Sequence, residues 1–214
     1  MSPVAHGLFA WLLAMLFLKK PQDRNLVVVA GVSPDLDGFH ILYDMESFYA
    51  IHHTFGHNIW WGLILAIPVL FIASQRWKTS LCVFGAVMLH LVADLVATNW
   101  GFYPFFPWGP YLSNPLSNFI IYSVMSNAIA IGLLVATVIV VFKSAISPVE
   151  VISTRLEYFL MKNYVSPLKN RCRCGKRAWF HCNDCGNDMC ATHSTSLLKQ
   201  ECKFCKGGEP TNDK

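Results

Sequence analysis

Charge is what this chain has least of. Asp, Glu, Lys and Arg make up 14% of its 214 residues, against about 25% in ordinary soluble domains. That shortage argues against an ordinary soluble surface. Together with 54% hydrophobic residues it predicts an integral membrane protein. The formal charge of +4 is small and diffuse, so no nucleic-acid partner is expected. Cysteine is scarce over most of the chain. Of eight, only Cys82 lies in the apolar part, and the other seven fall between Cys172 and Cys205. Internal repeats and low-complexity tracts are absent. The start has no basic stretch before its apolar run and no small-residue cleavage site, so Met1 to Leu18 reads as a first membrane helix, not a signal peptide.

The apolar runs set the architecture: an all-α membrane bundle with a small zinc-binding appendage. Residues 7–18 end at Lys19, Lys20 and Pro21, and residues 25–34 close at Ser33-Pro34-Asp35. Both are short against the roughly 20 residues a span needs and suggest a sheltered hairpin. Residues 59–74, with Pro68 as a kink, residues 79–98 and residues 119–142 complete about five membrane segments. The loop from Asn99 to Pro115 is crowded with Trp, Phe, Tyr and Pro, a composition that suits the membrane–water interface. The membrane domain is expected over 1–145 and an amphipathic linker helix over 146–170. A zinc-binding domain should follow over 171–206 and a disordered end over 207–214. Basic residues at Lys19/Lys20/Arg24, Arg76/Lys78 and Lys143 can all be cytoplasmic if the N-terminus is outside.

Against this apolar background stand His6, Asp35, Asp37, His52, His53, His57, His90 and Asp94. An unpaired carboxylate or imidazole near hydrocarbon is costly, so such groups are rarely there without a partner. The charge bias places all of them toward the outer leaflet. His53 and His57 are spaced i, i+4, which on a helix puts both imidazoles on one face. His90 and Asp94 repeat the spacing, with Asp94 set among Leu91, Val92, Leu95 and Val96. Asp35 and Asp37 follow Pro34 and precede Gly38, which suggests a turn. Each pair has a bland reading: an interfacial His pair, or a loop that ends a helix. His6 alone carries no signal. The agreement of four segments on one leaflet is what favours a metal site.

The series Ser33-Pro34-Asp35-Leu36-Asp37-Gly38, His52-His53-Thr54-Phe55-Gly56-His57, His90-Leu91-Val92-Ala93-Asp94 and Trp100-Gly101, followed by Pro and aromatic residues to Trp108, resembles the YdjM-type family. These are LexA-regulated inner-membrane proteins classed as metal-dependent hydrolases. The resemblance covers about residues 5–110. It departs at Thr54, where the family pattern has Arg, and at Gly56-His57-Asn58, where it has Thr-His-Ser. It implies a prokaryotic inner membrane location and a divalent metal, zinc, manganese or iron, held by His57, His90, Asp94 and Asp37. His6, Asp35 and His53 would complete one or two sites, and His52 would be an extra. It also implies hydrolysis, with Asp35, Asp37 and His53 as catalytic residues. The membrane location points to a lipid or membrane-associated substrate, and the similarity of the ligand types to those of zinc phospholipases points to a phosphoester. Membrane lipids are then the expected partners. Two other readings compete: a membrane di-iron oxygenase, for which the His count is low, and a non-catalytic metal-binding or assembly protein.

The tail reads Cys172-x-Cys174, Cys182-x-x-Cys185, Cys190-x-x-His193 and Cys202-x-x-Cys205. Eight ligands in four close pairs suffice for two tetrahedral structural zinc ions. Thiolates need a reducing compartment, so the tail is expected in the cytoplasm. Its centre resembles B-box and AN1 type zinc modules. By that resemblance pairs one and three share one ion and pairs two and four the other, with sequential pairing as the alternative. Its expected role is to hold a protein partner. His181 is a weak substitute ligand. Lys169, Arg171, Arg173, Lys176 and Arg177 are candidates for anionic head groups.

Overall fold

A computed structural model describes residues 1–46, 52–114, 119–161, 172, 178, 180–196 and 201–203. Helices dominate: α1 (Pro3–Phe17), α2 (Pro21–Val32), α3 (Ile59–Ile72), α4 (Arg76–Ala97), α5 (Phe119–Ser144) and the short α6 (Thr154–Leu160). A 3-10 segment, Ser33–Leu42, follows α2, and another, Pro148–Val151, precedes α6. Two small antiparallel hairpins form the tail, β1 (Phe180–His181) with β2 (Asp188–Met189) and β3 (Ser194–Ser196) with β4 (Glu201–Cys202).

The helix starts follow local chemistry. The Ser2 hydroxyl accepts from the Ala5 amide and Pro3 occupies the first turn, where its missing N–H costs nothing. The Asn58 side chain does the same for α3 by accepting from the Trp61 amide. α4 is the central helix and packs against α1, α2, α3 and α5. Its buried side includes Thr79, Val83, Ala86, Val87, His90, Asp94 and Ala97, a single helical stripe. His90 and Asp94 thus continue the same seam that Val83 and Val87 fill with hydrocarbon. Gly31 permits the tight crossing of α1 and α2, since a Cβ there would sit 2.5 Å from the Ala10 Cβ.

Four expectations change. α4 and α5 are long and apolar enough to cross a membrane, with 22 and 26 residues. α1, α2 and α3 have 15, 12 and 14 residues, so at about 1.5 Å per residue they reach only about 18–22 Å. Five full-length spans are therefore not what the fold shows. α2 begins at Pro21, not residue 25, and carries Asp23 and Arg24 inside the packed core. Both charges are satisfied. Asp23 accepts from the amides of Ser74 and Gln75 at 2.9 Å, and so orders the turn that leads into α4. Arg24 meets Glu150 through two nitrogens at 2.6 and 2.5 Å. Arg24 therefore belongs to the core and not to the free basic charge of the α1–α2 turn. Over the described residues 146–161 the linker is not one helix. The 3-10 turn Pro148–Val151 and α6 are separated at Ile152 and Ser153, and Glu150 is drawn inward to Arg24 and to the Trp11 indole at 2.9 Å. Residues 162–170 lie outside the described residues. The fourth change concerns His53 and His57. They lie in the irregular turn before α3 instead of on a helix, because His53 is left-handed (φ 70°) and Asn58 caps α3 only after them.

Candidate metal centre

Four pieces of chain deliver the ionisable side chains to one end of the bundle. His6 comes from the first turn of α1, Asp35 and Asp37 from the 3-10 segment, and His52, His53 and His57 from the turn before α3. His90 and Asp94 come from the last two turns of α4. The turn lies directly on the 3-10 segment, and Gly56 makes that possible. A Cβ at Gly56 would be 2.6 Å from the Pro34 carbonyl oxygen.

Asp94 sits at the middle, with its carboxylate fully buried. Its Oδ2 is 3.1 Å from His90 Nε2, 3.5 Å from His57 Nε2 and 3.9 Å from His53 Nε2. Its Oδ1 is 3.2 Å from His6 Nε2 and 2.5 Å from the Met1 amino group. Asp35 Oδ1 is 3.5 Å from His90 Nε2 and 3.9 Å from His57 Nε2. The two Nε2 atoms of His57 and His90 are 3.2 Å apart. The His6 and His90 rings stack with centroids 3.6 Å apart, as do His53 and His57 at 4.2 Å.

The far sides of two rings are fixed from behind. His90 Nδ1 donates to the Gly31 carbonyl at 2.7 Å, which leaves Nε2 with its lone pair toward the cluster. His57 Nδ1 is 3.0 Å from Asp37 Oδ2, a carboxylate–imidazole pair of the kind that orients metal-bound histidines. Asp37 Oδ1 is held at 2.7 Å by His52 Nδ1. His52, set aside as an extra on sequence grounds, thus belongs to the site. The signal was available: a buried Asp37 needs more than one donor, and His52 adjoins His53. Burial would raise the Asp37 carboxyl, but hydrogen bonds from His52 and His57 hold it below the usual carboxylate range. Burial and the neighbouring His57 push His53 down to about 3, so that ring is neutral and its lone pair is available. For His57, burial works against the charged form, and the bonds to Asp37 and Asp94 outweigh it and raise its pKa.

Do these donors fit a metal ion? Asp94 Oδ2, Asp35 Oδ2, His53 Nδ1 and both ring nitrogens of His6 are buried without a hydrogen bond. Unpaired buried acceptors are expensive, and a cation would satisfy several at once. Ligand atoms about 2.0–2.1 Å from one ion sit about 3.3 Å apart in a tetrahedron, close to the 3.1–3.5 Å contacts of Asp94 with His90, His6 and His57 and of Asp35 with His90. Two ligand groups share Asp94, His6/Asp35/His90/Asp94 and His53/His57/Asp94, and a third, Asp37/His52/His57, is the set behind His57, each with donor atoms within 4.8 Å of one another.

The aromatic loop walls one side. Trp100 meets His52 and His53 edge-on, with centroids 5.4 Å away in each case. Phe102 pairs with Leu112 across the loop base. Gly101 is required there, since a Cβ would lie 2.1 Å from the Leu112 carbonyl oxygen.

At the tail, Cys172, Cys190 and His193 form one group and Cys182, Cys185 and Cys202 a second. Cys172 and Cys190 Sγ each lie 3.4 Å from His193 Nδ1, and Cys185 Sγ is 3.7 Å from Cys202 Sγ. Zinc bond lengths of about 2.3 Å to sulfur and about 2.0 Å to nitrogen predict edges of roughly 3.8 and 3.6 Å. This grouping is interleaved, not sequential. Cys174, Cys205, the His181 side chain, the five basic residues and residues 207–214 lie outside the described residues.

A family model described as YdjM inner membrane protein matches residues 1–166. The chain belongs to that family. The YdjM match takes in every helix of the bundle and every member of the His/Asp cluster, and it ends before Cys172. No curated protein and no solved structure matches the chain. An inner-membrane family and two helices able to cross a bilayer agree on a membrane location.

Proposed function

We propose that the cluster is the active centre of a membrane-embedded metal-dependent hydrolase acting on a phosphoester of a lipid or other membrane-borne molecule. One observation carries the reading: buried Asp94 Oδ2 has no hydrogen bond, yet it faces three imidazole Nε2 atoms within 3.9 Å. In this reading His6, Asp35, His90 and Asp94 hold one divalent ion. His53 and His57 complete a second position with Asp94 as the bridge. A bound ion would supply Lewis acidity and an acidified water. Asp37, expected as a ligand, serves better as the carboxylate that fixes His57, since both of its oxygens are already engaged. Asp35 is the general base. Its side chain is 11% exposed against 1% for Asp94, and its Oδ2 is unpaired, so it alone among the acids can take a proton from an entering water. His52 holds Asp37, and Trp100 shields the imidazoles from bulk water.

The accompanying topology has five membrane segments, three of them short and sheltered. The centre faces the outer leaflet and the tail is cytoplasmic. The tail carries two structural zinc ions, one on Cys172, Cys174, Cys190 and His193 and one on Cys182, Cys185, Cys202 and Cys205, and serves as a protein-docking module. Metal analysis of the purified full chain beside Asp94→Ala tests the centre. The variant should lose about one equivalent or more while keeping the two tail ions. Equal metal in both proteins would sink the proposal. Turnover of bis(p-nitrophenyl) phosphate, lost in Asp35→Asn, then tests hydrolysis.

A further inference from the structure

A cavity of about 420 Å³ opens beside the cluster, between His52, His53 and Trp100 on one side and the first turns of α5 on the other. α5 is otherwise a hydrocarbon helix, with Ile120, Val124, Ile131, Leu134, Val135 and Phe142 exposed. Where it meets the cavity it changes character, to Tyr122, Ser123, Ser126 and Asn127. Their spacing places all four on one face. Polar side chains in a spanning helix are costly and mark functional surfaces. Ser123, Ser126 and Asn127 make no side-chain hydrogen bond among the described residues, so their donors and acceptors are open to a ligand. Among the described residues no Lys, Arg or acidic residue lines the cavity, and the Met1 amino group at its edge is already paired with Asp94.

That chemistry selects. With its one cation neutralised by Asp94 the wall does not clamp an anion, and a quaternary ammonium finds there no carboxylate and only the Trp100 and Tyr122 rings, short of a full aromatic cage. Hydroxyls and an amide that can both donate and accept suit the hydroxyl groups of a ligand, and the flat Trp100 ring offers a face for its C–H groups. We infer that this cavity binds the uncharged, hydroxyl-bearing polyol or sugar head group of a membrane phosphodiester, with Ser126 and Asn127 as specificity-determining residues. This rests on the hydrolase reading for the fate of the ester, though not for its binding.

The test is equilibrium binding of two short-chain phosphodiesters to the purified full chain in detergent: dihexanoylphosphatidylglycerol, whose free hydroxyls all lie in the head group, and dihexanoylphosphatidylcholine, whose head group is a cation without hydroxyls. The polyol ester should bind about tenfold more tightly, the difference that one or two hydrogen bonds provide. The Ser126→Ala/Asn127→Ala double variant should erase that preference without changing metal content. Equal binding of the two esters by the unaltered protein overturns the inference, and so does a preference that survives in the double variant. Turnover of bis(p-nitrophenyl) phosphate, which has no head group, separates the two ideas. Turnover without the polyol preference removes this inference alone. A polyol preference without any hydrolysis removes the hydrolase reading and leaves the head-group site standing.

Discussion

Asp37 and Asp94 show how two aspartates near one centre take different roles. Asp94 is surrounded by ring nitrogens that converge on one of its oxygens, whereas Asp37 has each oxygen occupied by a ring behind the cluster. Removing the two carboxylates should therefore have different effects. Asp94→Ala deletes a donor common to both ligand groups and should abolish binding. Asp37→Asn keeps every ligand in place and loosens only the orientation of His57. Losses of about tenfold to a hundredfold in metal affinity are typical for such supporting groups. Competition with a chelator of known affinity reads both, and equal loss in the two variants would return Asp37 to the ligand set. The members of this cluster were legible in the sequence because ionisable residues stand out in apolar runs. Their division of labour was not, since it depends on which oxygen each ring reaches. His52 illustrates the gap: its neighbour His53 drew attention by spacing, while the bond from His52 to Asp37 spans fifteen residues and a turn.

At the level of elements, spacing misled where the chain leaves regular structure. The i, i+4 rule assumes a helix, and His53 and His57 converge through a left-handed turn instead. In α4 the same rule held, because His90 and Asp94 extend a stripe that already has helical period. The linker failed for another reason: a glutamate in an amphipathic pattern reads as solvent-facing, yet Glu150 pairs with Arg24, which was read as a surface charge. This pair fastens the linker to the α1–α2 hairpin. Truncating one partner leaves a buried charge alone, so Arg24→Ala or Glu150→Ala should each cost about 3–5 kcal/mol. An Arg24→Met/Glu150→Leu double variant should recover most of that. Thermal unfolding in detergent measures all three, and single variants as stable as the parent would show that the pair is solvated. Gly31 gives a companion case. Gly31→Leu must push α1 from α2, because the Ala10 Cβ already occupies the space. The same shift would displace the Gly31 carbonyl that holds His90, so stability and metal affinity should fall together.

Across the whole molecule, the His/Asp cluster and the cysteine module occupy opposite ends of the bundle. The cluster collects at the start of α1, the end of α2, the start of α3 and the end of α4. The tail lies at the other end, where a Cβ at Gly186 would sit 3.2 Å from the Lys19 carbonyl oxygen. Arg24, which donates to the Leu18 and Lys19 carbonyls, ties the linker to that same turn. Nothing in the chemistry of either site requires this separation. It follows from alternating short helices, which return every second end to the same side. If α4 crosses the bilayer, the two ends face different compartments, and thiol accessibility can tell which. A single cysteine replacing Trp108, which is 71% exposed in the aromatic loop, should react with a membrane-impermeant maleimide added to intact cells. Such a label needs the tail thiols masked, and the proposed tail zinc ions would do this, because a coordinated thiolate is a poor nucleophile while its ion stays bound. The tail cysteines should become reactive only after the membrane is opened and zinc is chelated. Labelling at position 108 only in opened membranes would invert the orientation. The centre would then face the cytoplasm, and a substrate borne on the outer leaflet would be ruled out.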